Sequence, residues 1–243
     1  MCELWNGFQL ERFQFENKDA LIVSPAEGTS VGRLAIKTVY WDAFPEAIEL
    51  DLVKHGFHLC YIKSDHRWGA VEDIDRMARY VRFVSDKYAL QRRVVPVGMS
   101  CGGLMAIKLA DKYPEIISCL YLDAPVLNYL SCPGCFGDAK REDVKIVVDE
   151  VLNALKMESI SQLIAYRQMP LDALPNLIAS KIPSVLVAGL ADRVVPYHEN
   201  GKYLQDAYIA SNVDFEYYLK PGCDHHPHGL ENNAPVLRFI LTH

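Results

Sequence analysis

The chain has 243 residues, half of them apolar, enough to build one large α/β core. Its formal net charge of −6 and isoelectric point near 5.7 argue against a nucleic-acid-binding surface. No run approaches the roughly eighteen apolar residues of a membrane span, and no basic segment followed by an apolar run opens the chain, so neither a membrane anchor nor a signal peptide is expected.

In chain order, residues 7–15 alternate loosely and 20–24 form a short apolar run. Asn17, Lys18 and Asp19 between them are turn formers, which predicts an antiparallel hairpin. Residues 34–40 read as a strand. Pro45 opens a helix that continues over 46–54 and closes near Gly56. Residues 57–63 are a strand. Over 71–88, Val71, Ile74, Met77, Ala78, Val81 and Val84 recur at helical spacing. A strand, 93–97, and a helix from Leu104 follow, ended by Tyr113-Pro114, and 116–122 is another strand. Later come a strand at 184–189, a helix at 199–210, a strand at 215–219 and a helix at 234–241. This alternation predicts an α/β fold with a mostly parallel sheet and helices on both faces, antiparallel only at its N-terminal edge. Residues 126–181 contain no strand pattern but carry helical patterns at 142–157 and 159–168, which predicts a helical lid inserted into a single domain.

The chemistry is concentrated at Gly98-Met99-Ser100-Cys101-Gly102-Gly103, a Gly-x-Ser-x-Gly pentapeptide between a β-branched run and a helix start. In that setting the serine sits on a strained turn with its hydroxyl clear of the backbone. The N–H of Cys101, at a helix N-terminus, points to where negative charge develops on a substrate oxygen. A serine hydroxyl needs a base, and the base a carboxylate to hold its tautomer. Asp192 follows the 184–189 strand, with Asp123, after 119–122, as the alternative acid. The base lies in Gly222-Cys223-Asp224-His225-His226-Pro227-His228, where His225 directly follows the turn; His228 and His226 are the alternatives. A metal reading of these histidines is set aside, because neighbours in sequence do not easily share one ion and no H-E-x-x-H is present. No metal is therefore expected.

The seven cysteines, odd in number and scattered through strand-like runs, fit reduced thiols in a cytoplasm. Cys132-Pro133-Gly134-Cys135 lacks a second C-x-x-C and the setting of a redox motif, and reads as a tight loop. Trp68, Tyr129, Tyr166 and Met169 are candidates to line an apolar site, and His66, Arg67 and Trp68 to face the cleft.

From residue 20 onward the chain resembles the α/β-hydrolase superfamily, on the serine motif, on Gly189-Leu190-Ala191-Asp192 through Pro196, and on Gly222 through His225. The His-His-Pro-His loop looks like that of the bacterial esterase-like branch. The resemblance implies about eight strands, a Ser-Asp-His triad and no cofactor. It also implies a second oxyanion donor after the third strand; Val39-Tyr40-Trp41-Asp42 replaces the usual His-Gly there, leaving a backbone N–H of Tyr40 or Trp41. The expected activity is hydrolysis of small-molecule acyl esters through an acyl-enzyme, with small acylated carbohydrates a substrate class by resemblance alone. A peptidase or amidase on the same scaffold and a non-catalytic ligand-binding relative are the alternatives.

Overall fold

A computed structural model describes residues 3–41 and 48–243. Among these residues nine strands form one sheet: β1 (Glu3–Trp5), β2 (Phe8–Phe15), β3 (Lys18–Val23), β4 (Leu34–Lys37), β5 (His58–Ile62), β6 (Val94–Met99), β7 (Leu120–Asp123), β8 (Ser184–Gly189) and β9 (Phe215–Lys220). Their spatial order is β1-β2-β3-β5-β4-β6-β7-β8-β9. The pairs from β1 to β5 are antiparallel, and every pair from β5 through β4 to β9 is parallel. The mostly parallel sheet and its N-terminal antiparallel edge are as the sequence predicts. The extra strand is β1, whose three residues pair with the outer side of β2 and are too short to carry a periodic signal.

The parallel strands are buried on both faces, so they read as unbroken apolar runs, and successive residues divide between two cores. Leu34, Ile36, Leu120, Leu122 and Leu186 enter one core, with apolar residues of α2 (Val71–Lys87), α3 (Cys101–Lys112) and α7 (Gly201–Ile209). Ala35, Val95, Val97, Tyr121, Val185 and Val187 enter the other, beneath α1 (Ile48–Lys54) and α8 (Ala234–Thr242). The predicted helix opening at Pro45 lies partly outside the described residues; α1 is described from Ile48.

The segment 126–181 contributes α4 (Val144–Ala154), α5 (Ile160–Ala165) and α6 (Leu174–Ala179), with no strand among them. Its entry is fixed by Asn200, 1% exposed. The Asn200 side-chain oxygen accepts from the backbone N–H of Leu127 (2.9 Å) and Asn128 (3.0 Å), and its amide donates to Ser131 Oγ and the Pro196 carbonyl. The Cys132–Cys135 stretch is a tight loop of backbone bonds, such as Cys135 N–H to Ser131 O at 2.8 Å, and both thiols are free.

Strand β4 ends at Lys37, three residues before the sequence pattern suggests. Thr38 there donates its hydroxyl to the carbonyls of Gly102 (2.8 Å) and Val97 (3.2 Å), and Tyr40 takes a left-handed φ of 62°. The chain thus leaves the sheet where β4 and β6 both end, at the same carboxyl rim that receives the loops after β7, β8 and β9. Ligand sites of open α/β sheets form on that rim.

No described helix is long and apolar enough to cross a membrane.

Candidate active site

Ser100 stands between β6 and α3 with φ 53° and ψ −119°, a conformation side-chain-bearing residues rarely adopt. The neighbouring structure holds it there. Its N–H donates to the Asp123 carbonyl (2.9 Å), and its own carbonyl accepts from Gly103 (3.0 Å) and Val126 (3.1 Å). The turn is possible only because strand and helix touch backbone to backbone. A Cβ on Gly98 would sit 2.7 Å from Gly102 O, and one on Gly103 would sit 2.4 Å from the Pro125 Cβ.

His225 lies 125 residues further along, yet its Nε2 is 3.1 Å from Ser100 Oγ. Its Nδ1 is 2.8 Å from Asp192 Oδ2. A carboxylate can only accept, so Nδ1 carries the proton and Nε2 offers its lone pair to the serine hydroxyl. The other oxygen of Asp192 accepts from the N–H groups of Val194 (2.9 Å) and Val195 (2.8 Å). Ser100, His225 and Asp192 are 9, 6 and 7% exposed, so little water screens the three groups from one another.

The alternative acid and the alternative base pair with each other instead. His228 Nδ1 is 3.1 Å from Asp123 Oδ1, while Asp123 Oδ2 accepts from the Tyr121 hydroxyl (3.0 Å) and the Gly229 N–H. Burial raises the Asp123 carboxyl, but the His228 bond and charge and the Gly229 N–H outweigh it and leave the carboxyl below its usual range. His226 is exposed and meets both other rings edge-on, with centroids 4.9 Å from His225 and 4.8 Å from His228. The three rings nevertheless come together. The loop folds over so tightly that one ring nitrogen from each lies within 4.8 Å of the others.

Sequence reasoning missed what fixes this loop. Asp224 accepts from the N–H of His225 (2.8 Å) and from the N–H (2.9 Å) and Nε (2.8 Å) of Arg193, tying the histidine loop to the aspartate loop. The Arg193 backbone N–H, its guanidinium and the His225 N–H lower the Asp224 carboxyl from 3.8 to about 2. A depressed carboxyl stabilises the fold above its unfolded value and loses that contribution as pH falls through the folded one. The loop anchor is therefore complete above about pH 4 and released toward pH 2. Asp224→Ala and Arg193→Ala are each expected to lower kcat about ten- to a hundredfold at neutral pH, since small misplacements of a reacting group carry such penalties. Steady-state kinetics of the two single variants and the double variant check this; one shared interaction predicts a double defect no larger than either single one.

At the opposite wall, the Tyr40 hydroxyl accepts from Arg67 Nη1 at 3.4 Å and lies beside the Cys101 thiol. Burial, then the neighbouring Cys101, push the phenol well above its ordinary value, so it remains a proton donor. Burial also raises the Cys101 thiol, which keeps it protonated and unreactive. The Trp41 ring packs between Trp5 and Tyr61, centroids 5.6 and 5.9 Å away, in the core under α1; the donor expected from the sequence at Tyr40 or Trp41 is a backbone N–H, a different group from either side chain. Arg67 and the Trp68 indole N–H converge on Glu150 of α4 at 2.9 Å, tying the 126–181 segment to the rim. Arg67 thus joins Tyr40 on one side to Glu150 on the other. Trp68, Tyr129 and Met169 are buried in the larger core, where Tyr129 donates its hydroxyl to the Trp68 carbonyl (2.8 Å), and Trp68 also borders a cavity with Arg67 and Glu150.

A cavity of about 570 Å³ lies away from this chemistry, between Arg12, Phe13, Asp19, Trp41 and Lys63. Two smaller ones, about 320 and 180 Å³, share Ser64, His66 and Arg67 and run up to Glu150 and Tyr40.

Similar architectures occur among solved structures. A puromycin hydrolase superposes with a TM-score of 0.71 at 18% identity, over 96% of this chain and 37% of its own. A Mycobacterium tuberculosis puromycin-hydrolyzing peptidase gives 0.70 at 14% identity, over 96% and 38%. A Pyrococcus horikoshii acylaminoacyl peptidase gives 0.66 at 15% identity, over 96% and 39%. At these identities the likeness is one of fold, the α/β-hydrolase fold, and the chain spans under two fifths of the length of each. No curated protein sequence matches it. The prolyl oligopeptidase family profile matches residues 61–243. The comparisons support the superfamily and a peptidase family within it, not the esterase-like branch that the His-His-Pro-His loop suggests. Matched over most of its length, the chain belongs to the prolyl oligopeptidase family.

Proposed function

We propose that this chain is a serine hydrolase acting on amide bonds of peptides or peptide-like molecules. The observation that carries the reading is the bridge made by His225, one ring nitrogen on Ser100 and the other on Asp192. Membership in a peptidase family favours amides over the carboxylic esters first expected from the sequence.

In this mechanism Ser100 attacks the acyl carbonyl as its proton passes to His225 Nε2. Asp192 holds the ring and stabilises the imidazolium. The N–H of Cys101, in the unsatisfied first turn of α3, and the Tyr40 hydroxyl receive the charge that develops on the carbonyl oxygen. The imidazolium then protonates the departing amine. An amine is a poor leaving group until protonated, so this step decides whether amides are cleaved. Water activated by the same nitrogen releases the acid. Arg67 supports Tyr40 by donating to its hydroxyl oxygen, which polarises the O–H toward the substrate. Tyr40→Phe is expected to lower kcat about a hundred- to a thousandfold with KM nearly unchanged, the signature of a donor used in the transition state.

The near-enclosure of Ser100 supports reading 126–181 as a lid in this domain, one that opens to admit substrate. Arg141 and Cys132 of that segment lie close to Cys101, and Glu150 closes it onto Arg67 and Trp68.

Hydrolysis of matched amide and ester substrates sharing one acyl group tests the proposal. The amide reading expects turnover of both, with kcat values converging wherever deacylation of the common acyl-enzyme limits the rate. Ester cleavage alone would restore the esterase reading, and a folded protein inert to both and to fluorophosphonates would favour a non-catalytic binding role.

A further inference from the structure

We propose that His225, His226 and His228 form a binding site for a divalent transition ion of the zinc class, and that the bound ion switches off Ser100. One ring nitrogen from each histidine lies within 4.8 Å of the other two. Zinc–imidazole bonds of about 2.0–2.1 Å in tetrahedral geometry bring ligand nitrogens to about 3.4 Å. Closing the remaining gap takes side-chain movements of about 1 Å, small for a loop whose middle histidine is exposed.

The surroundings are those of a metal site. Ligating histidines characteristically donate their second ring N–H to a carboxylate, which fixes the tautomer and makes the ligating nitrogen more basic. Two of the three have this arrangement: His225 Nδ1 with Asp192 at 2.8 Å and His228 Nδ1 with Asp123 at 3.1 Å, both carboxylates buried. In both rings Nε2 is then the nitrogen that carries the lone pair. The two carboxylates supply two negative charges behind the imidazoles. Lys220, held by the carbonyls of Pro227 (2.6 Å) and Gly229 (3.0 Å), brings one positive charge close to Asp123 and offsets one of them. His226, at the surface, supplies the entry ligand.

Inhibition follows from the identity of one ligand atom and rests on the hydrolase reading. His225 Nε2, 3.1 Å from Ser100 Oγ, is the atom that must take the serine proton. An ion on that nitrogen occupies the lone pair, no proton can be accepted, and the hydroxyl stays a weak nucleophile. Binding itself does not depend on the reaction.

Titration calorimetry with Zn²⁺ on the wild type, Ser100→Ala and His226→Phe tests binding alone. The wild type and Ser100→Ala should take up one Zn²⁺ per chain, and His226→Phe should bind at least about tenfold more weakly. His226→Asn replaces the phenylalanine variant if that does not fold. Co²⁺ bound in place of zinc should give the intense visible bands of a tetrahedral site in the wild type. Fluorophosphonate labelling, compared with and without Zn²⁺ within each protein, should slow in the wild type, recover with EDTA, and change much less in His226→Phe. No Zn²⁺ uptake by the wild type below millimolar concentration, or unaltered affinity in His226→Phe, would overturn the site. Tight binding with undiminished labelling would overturn the inhibition. If Ser100 is not a nucleophile, labelling is absent with or without zinc, while calorimetry still reads the site.

Discussion

Ser100→Ala is expected to abolish labelling by a fluorophosphonate and to lower kcat on the order of a millionfold, while KM and thermal stability hardly change. The magnitude follows from how such triads fail: removing the nucleophile from a Ser-His-Asp unit costs on the order of 10⁶ in kcat, and what remains is the contribution of oxyanion stabilisation and binding. Stability is spared because the strained turn is held by its backbone. The Ser100 N–H and carbonyl are bonded to Asp123, Gly103 and Val126, and alanine keeps all three bonds. Some relief of strain is not available either, since alanine has the same Cβ at φ 53°. Residual labelling in this variant would move the nucleophile elsewhere. The buried, protonated Cys101 thiol next to it is a poor substitute.

The second large effect separates two histidines three residues apart. His225→Ala should reduce kcat about as much as loss of the serine, because base and nucleophile act as one unit. His228→Ala should leave labelling within about tenfold of the wild type but lower stability. It takes from Asp123 a hydrogen-bond partner inside the protein, leaving the Tyr121 hydroxyl and the Gly229 N–H. Loss of one partner from a buried polar group costs about 1–3 kcal/mol. The pH dependence has a definite sign. Asp123 is held below the ordinary carboxylate range, so it stabilises the fold at neutral pH and loses that contribution as pH falls. Without His228 its folded value rises, so the acid-unfolding transition should move to higher pH. Circular dichroism across pH 2–7, with labelling at pH 7, reads both variants. Loss of labelling in His228→Ala, with retention in His225→Ala, would exchange their roles.

These variants also separate the chemistry from its supports. Asp224 touches neither serine nor substrate, yet it joins the loops that carry acid and base. Its carboxylate does by hydrogen bonding what a close turn would do by sterics. Tyr40 illustrates the same point at the other wall. Only its side chain, set by a left-handed backbone and a neighbouring guanidinium, distinguishes it from Trp41 next to it.

The sequence by itself determined the elements and their order on the rim. Apolar runs of β-branched residues between helical stripes specify parallel strands buried on both faces, and Gly98, Gly102 and Gly103 around Ser100 specify a turn that only close backbone packing requires. Chain order then brought Ser100, Asp192 and His225 forward as one set. These are local signals, spread over a few residues, and they survive in a single sequence. Only the tertiary structure decided which groups meet. It paired Asp123 with His228, turned the Trp41 ring into the core, packed Trp68, Tyr129 and Met169 into the larger core, and gathered three imidazoles around one point. Each depends on directions of side chains separated by up to 125 residues, and no periodicity encodes a direction in space.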